Sequence, residues 1–186
     1  QIDRTQCPLA QRIADGLAGK RLRPVQRQQS REEFFEPLDD RAALRGAHHG
    51  LGVTPYSPVA RGVLTGKYLP GQAPEAGTRA GRGDRRMGQT EFRQESLAIA
   101  QTLKQHAGQR GVTLAQFATA WVLAHRSVSS VIAGPRTLAQ WQDYLPALDY
   151  RVTPEDEALI DSLVAPGHPS TPGYTDPAYP LERRRP

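Results

Sequence analysis

Three helix starts are written into the sequence between residues 113 and 156, and they leave few folds open to the chain. Thr113-Leu-Ala-Gln116 and Thr137-Leu-Ala-Gln140 are capping boxes: the threonine hydroxyl accepts from the third helical amide while the glutamine reaches back to the cap. Thr153-Pro154-Glu155-Asp156 is the third, with proline preorganised for the first helical position and carboxylates facing the positive end of the dipole. The first helix is predicted to bury Phe117, Ala118, Trp121 and Val122, the second Leu138, Trp141 and Leu145, and the third Leu159, Ile160, Leu163 and Val164. Upstream, Phe92, Leu97, Ala100, Leu103 and Ala107 recur at mostly helical spacing until Gly108 and Gly111 punctuate the end.

Short β-branched runs separate these helices. Residues 53–56 follow a glycine turn and end at Ser57-Pro58, and residues 128–133 end at Gly134-Pro135, so both read as strands. Pro55 withholds a ladder donor, and the first strand is expected to end or bulge near it. Strands alternating with helices imply an α/β fold with a parallel sheet and helical crossovers. Residues 70–90 hold Pro, Gly and charge with little period and are expected to form a long mobile loop of the kind that makes lids or binding sites. The tail from residue 166 is too rich in Pro and Gly for regular structure and is expected to lie extended over the surface. Residues 1–49 are weakly patterned: residues 8–18 align Leu9, Ile13 and Leu17 as a short helix, Ser30-Arg-Glu-Glu33 reads as a cap, and no clear period joins them.

At 186 residues with 38 % apolar content the chain is long enough for one core, but short for a complete (β/α)8 barrel of roughly 250 residues. A formal charge of +5 would suit a nucleic-acid binder. The basic residues are scattered, however, apart from Arg79, Arg82, Arg85 and Arg86 and the tail Arg183, Arg184 and Arg185, and 6 % aromatic content supplies no stacking platform. No nucleic-acid partner is expected. The single Cys7 excludes an intramolecular disulfide, and no run approaches the ~20 apolar residues of a membrane span, so a soluble cytoplasmic protein with no membrane partner is expected. The chain opens on Gln1 without a charged-then-apolar leader, consistent with numbering that begins inside a longer protein.

Three stretches together carry a family likeness: GVTPYSPVARGVLTGKY at 52–68, SVSSVIAGPRTLAQWQDYLPALD at 127–149, and YTDPAYPLE at 174–182. In this order they resemble the aldo-keto reductase family, specifically its bacterial branch related to potassium-channel β subunits. The likeness runs from about residue 50 to residue 182 and implies the C-terminal half of a (β/α)8 TIM barrel, with residues 1–49 left unassigned and residues 50–186 as the half barrel and its tail. It implies NADP(H) as cofactor, a small-molecule carbonyl as substrate, and no metal.

The resemblance also implies a set of cofactor-binding residues. Tyr56 would stack on the nicotinamide ring, at the strand edge where barrel enzymes place their chemistry, although a buried core tyrosine is the alternative. Ser57, Pro58, Val59 and Arg61 would lie along the pyrophosphate, with Gly62 and Gly66 letting the backbone turn closely and Lys67 adding positive charge. Arg79 would clamp the cofactor from the long loop, or stand as one solvated charge among several. Gly134 and Arg136 would take the adenosine 2′-phosphate, which favours NADP over NAD because a guanidinium grips phosphate in bidentate fashion. Gln140 has two open roles, cap and adenosine contact. Asp143 stands where the family usually has Glu near the adenine, and Tyr144 departs from the Asn usual next to it.

The family's catalytic Tyr, Lys, Asp and His come from the first half of the barrel, and nothing before residue 50 matches them, so no catalytic residue is assigned. His48 and His49 read as a solvated helix C-terminus favoured by the dipole. The resemblance therefore implies an aldo-keto reductase-related chain whose parent reaction is NADPH-dependent reduction of an aldehyde or ketone to an alcohol, truncated or frame-shifted and inactive or nearly so by itself; the alternatives are a non-catalytic module that keeps nucleotide binding or partner contacts, and a structural piece that self-associates through open sheet edges.

Overall fold

The computed structural model describes residues 48–178, all within the compact unit Glu36–Pro186. Five α-helices follow in chain order: α1 (Arg85–Gln89), α2 (Gln94–Gln109), α3 (Leu114–Ala124), α4 (Leu138–Tyr144) and α5 (Pro154–Leu163). A 3₁₀ segment at Leu145–Leu148 and a 3₁₀-like turn at Ala60–Thr65, interrupted by non-helical backbone, accompany them. The expectations placed on residues 1–47 and 179–186 lie outside the described residues.

All three helix starts sit where their caps put them. Gln116 N donates to Thr113 Oγ1 at 3.2 Å while Gln116 Oε1 accepts from Thr113 N at 3.0 Å, and Thr153 with Asp156 closes the same box at the start of α5. Helix α4 differs in one detail. Thr137 accepts from Gln140 N, but Gln140 Oε1 reaches past the cap to Arg136 N at 2.7 Å, so the reciprocal bond is shifted by one residue.

The core is built on α2. Leu97, Ala100, Leu103 and Ala107 line its buried face and pack with Leu114 and Phe117 of α3, with Val63 and Tyr68, and with Met87. Met87 corrects the expectation of a loop without structure over residues 70–90. Asp84 caps α1, and the short helix drives Met87 to complete burial, tying down a segment whose composition alone suggested mobility.

The predicted apolar faces survive unevenly. On α3, Phe117 and Ala118 are buried, but Trp121 is 41 % exposed and donates its indole N–H to Glu157 of α5; a polar handle at the surface satisfies it better than burial. On α4, Leu138 is 70 % and Trp141 44 % exposed, so the buried face expected there is not formed against the described residues. Leu159, Ile160 and Leu163 of α5 pack half-buried against the core, as their spacing predicts.

The two predicted strands pair in parallel, but only through isolated bridges, Val53 with Val128 and Tyr56 with Ile132. The first segment advances three residues between these bridges and the second four, so the second carries one extra residue, as in a bulge. Pro55 sits in the gap. It has no N–H to donate, and its carbonyl accepts from Ile132 N at 2.8 Å, which is why the run breaks into two contacts instead of a continuous ladder. Among the described residues no helix is long and apolar enough to cross a membrane.

Candidate functional site

Both bridged segments end on the same side, where parallel strands of an α/β fold characteristically present their functional loops. Ser57 N donates to Ile132 O at 3.1 Å and locks the two ends together. Immediately afterwards the backbone enters an unusual run: Ser57, Ala60 and Arg61 have φ of 62°, 46° and 52°, and Gly62 has φ of 101°. Left-handed non-glycine residues each cost of order 1–3 kcal/mol and persist only where the surroundings fix them. Here the Ser57 hydroxyl accepts from Arg61 N at 3.2 Å, Gly62 N donates to Val59 O at 2.8 Å, and Val63, 2 % exposed, anchors the turn in the core.

Gly66 closes the run at φ +67°, and its carbonyl accepts from Gln101 Nε2 and Lys104 Nζ of α2. A Cβ there would lie 2.5 Å from Lys104 Cδ. Gly66→Ala is therefore expected to cost about 1–2 kcal/mol from the left-handed backbone, with displacement of Lys104 added, as read by urea denaturation.

Beside this turn opens a cleft of about 360 Å³. The residues expected from the sequence reach its walls from three separated stretches. Tyr56, Ser57, Pro58, Val59, Arg61 and Lys67 come from the first segment and its turn; Arg79 comes from the loop before α1; Gly134, Arg136, Gln140 and Asp143 come from the end of the second segment and from α4. The cleft thus brings together the residues expected to contact the cofactor, and Gly62 with them, while Gly66 is not in its lining. It also takes in Thr65, Arg82, Ala115, Ile132, Pro135 and Tyr144, which were not assigned to the site. Arg82 was visible as part of a basic cluster, whereas Ala115 and Ile132 carry no chemical signal and join the wall only through tertiary packing.

The charge in the cleft is lopsided. Arg61, Lys67, Arg79, Arg82 and Arg136 line it, against the single carboxylate of Asp143. Some of that charge is partly engaged: Arg61 Nε meets Glu91 Oε1 at 3.0 Å, and Arg79 Nε lies 3.7 Å from Asp84 Oδ2. The Met87 amide holds the Asp84 carboxyl below its usual range, and Arg79 and Arg61 add to the effect. Lys67 lies over the Tyr68 ring with its ammonium 5.1 Å from the centroid.

The surroundings of two of these side chains are well defined. Tyr56 is 57 % exposed, so the alternative of a core tyrosine does not hold. Asp143 Oδ1 accepts from Thr113 Oγ1 at 3.1 Å and Gln116 Nε2 at 2.9 Å, which ties it to the start of α3. Its neighbour Tyr144 has its phenol pushed up by burial and by the Asp143 charge. His48 and His49 stand exposed in helical conformation, edge to face with centroids 4.8 Å apart, away from the cleft lining. Among the described residues no cluster of His, Cys, Asp or Glu could hold a metal ion.

Residues 19–165 match the Aldo/keto reductase family, a stretch that begins inside the segment left unassigned by motif alone. The chain is 39 % identical over 102 residues to a probable voltage-gated potassium channel subunit beta of Arabidopsis thaliana, covering 55 % of this chain and 31 % of that one. It is 33 % identical over 123 residues to an L-glyceraldehyde 3-phosphate reductase of Escherichia coli O157:H7, covering 64 % of this chain and 35 % of that one. The chain thus spans about a third of the length of these curated relatives. The fold is similar to that of a glycerol dehydrogenase of Gluconobacter oxydans, with a TM-score of 0.53 and 21 % identity over 80 % of this chain and 43 % of that one.

Proposed function

The chain belongs to the aldo/keto reductase family, and from that premise we propose that its cleft holds NADP(H) and that residues 48–178 are the cofactor side of a carbonyl reductase of the (β/α)8 barrel type. The observation that carries this reading is the convergence of five cations and one carboxylate, from three separated stretches of sequence, on one cleft beside strained backbone. A dinucleotide phosphate is the ligand that such a donor set fits, because guanidinium and ammonium groups bind phosphate through charge-assisted hydrogen bonds.

In this proposal Tyr56 offers its exposed ring to the nicotinamide, the turn from Ser57 to Lys67 with Arg79 follows the pyrophosphate, and Arg136 meets the adenosine 2′-phosphate. Gln140 and Asp143 remain assigned to the adenosine side, each with one oxygen already committed within the protein. The cofactor, when bound, supplies a hydride to a carbonyl carbon. This chain's residues bind it, orient one face of the ring and shield it on one side. No stretch of the sequence resembles the one that carries the family's proton donor, so the pure 186-residue chain is expected to show little or no carbonyl-dependent NADPH oxidation. Robust turnover in an absorbance assay at 340 nm would overturn that expectation.

Calorimetric titration of the chain with NADPH tests the binding itself, and an absence of binding at millimolar ligand would sink the reading. The uncovered apolar side chains of Leu138 and Trp141 on α4 favour a second reading, a non-catalytic NADP-binding subunit that docks on another chain, in keeping with the name of the Arabidopsis relative. In either case the cytoplasm, where NADPH is plentiful, is the proposed location.

A further inference from the structure

The tail was expected only to lie over the surface, yet it grips α1 and the start of α2 through a dense set of directed contacts. Arg86 of α1 forms a fork with Asp176: Nη1 donates to Oδ1 at 2.8 Å and Nη2 to Oδ2. Tyr174 donates its hydroxyl to Gln89 O at 2.8 Å, and its ring lies under the Arg93 guanidinium at 3.7 Å. Arg93 Nη2 and Ser96 Oγ both reach Ser170 Oγ, at 2.9 and 2.7 Å. Arg93 Nε and Nη1 are buried with no hydrogen-bond partner, so the Tyr174 ring face is the contact that offsets their desolvation.

What the tail holds bears directly on the cleft. Helix α1 has five residues, far too few to be stable alone. Its position fixes the loop before it: Asp84, the cap of α1, donates its amide to Arg79 O at 3.3 Å and faces the Arg79 side chain with its carboxylate. Arg82 lies in the same turn, its amide bonded to Thr78 O at 3.1 Å. Both arginines line the cleft. A continuous chain of contacts therefore runs from Asp176 through Arg86, α1 and Asp84 to Arg79.

We propose that residues 170–176 are a strap that positions the cleft's arginine loop, with Asp176 and Tyr174 as positioning residues for retention of the dinucleotide phosphates. The inference rests on the reading of the cleft as an NADP(H) site. Because the strap acts on a loop that is placed over a bound ligand and not on the encounter, its loss shows in dissociation more than in association. Glutamate at position 176 keeps a carboxylate that can reach the guanidinium, whereas asparagine does not keep the charge.

The test is stopped-flow NADPH fluorescence on the full chain, with the urea midpoint recorded for every variant. Asp176→Asn is expected to speed NADPH dissociation about tenfold with association within about twofold, and Asp176→Glu is expected to restore most of the loss. Tyr174→Phe, which keeps the stack on Arg93 and drops only the bond to Gln89, is expected to speed dissociation about threefold, and it decides the matter should Asp176→Asn not fold. In an Arg79→Ala background Asp176→Asn is expected to add little, since both act through one loop. Unchanged dissociation in Asp176→Asn and Tyr174→Phe, with the wild type binding normally, overturns the strap and leaves the cofactor site standing. A wild-type chain that binds no NADPH overturns both.

Discussion

Arg136→Ala is expected to weaken NADPH binding by about tenfold to a hundredfold, while NADH binding stays within about twofold. The two dinucleotides differ only in the 2′-phosphate, so the pair of titrations isolates the group that Arg136 is proposed to hold. Arg136 is exposed at the approach to α4, and its amide is already bound by Gln140, which leaves the guanidinium as the part that meets a ligand. Arg136→Lys is expected to fall between, because an ammonium keeps the charge and loses the fork. Equal weakening of both dinucleotides would move Arg136 to the pyrophosphate, and no weakening of either would remove it from the site.

Local signals in the sequence were legible where a single side chain meets the backbone next to it. The caps at Thr113, Thr137 and Thr153 are short-range hydrogen bonds that need no tertiary context, and all three form. The grouping of the cleft residues was expected for a different reason. Arg79 and Arg136 were singled out by the family resemblance of the stretches around them, since either alone reads as one more surface charge, and the parallel pairing of the segments that carry Tyr56 and Ile132 brings those stretches together. What failed to show was anything set by packing at a distance. Periodicity cannot tell whether Trp121 turns its face to a core or its indole N–H to Glu157, and loop composition cannot reveal that Met87 fills a core position. The tail contacts have the same character: Arg86 and Asp176 are 90 residues apart, and either alone reads as an ordinary surface charge.

Asp156 is the extreme case of such a hidden role, and removing it carries the largest expected effect on stability. From the sequence it is one of several acids facing a helix dipole. In the fold it is fully buried, and its two oxygens are hydrogen-bonded to His106 Nε2 at 2.6 Å, Tyr150 OH at 2.8 Å and Thr153 N at 2.9 Å, with Arg110 Nε in an ion pair at 3.3 Å. Helix α5 is thereby pinned to α2. Phe117 of α3 packs edge-on against both His106 and Tyr150, at 5.7 Å in each case, so the cluster also supports the helix whose start borders the cleft. Asp156→Ala strands these donors around a buried void and is expected to cost about 3–5 kcal/mol, a large part of the stability of any domain this size.

The same carboxylate gives a pH signature. Burial raises its pKa, but the hydrogen bonds from His106, Thr153 and Tyr150 and the charge of Arg110 outweigh burial and bring it from 3.8 down to about 2. The Tyr150 phenol moves the opposite way, pushed up to about 12 by burial and by Asp156. A carboxyl whose folded pKa lies below its unfolded value contributes stability above the unfolded value, and that contribution is lost as pH falls from about 4 through about 2. The shift corresponds to about 2 kcal/mol. Urea denaturation at pH 7 and at pH 2.5 is expected to show the wild-type chain losing stability that Asp156→Asn has already lost, so the gap between the two narrows on acidification. A gap that stays constant between those pH values would place the stabilising role of Asp156 in its shape and not in its charge.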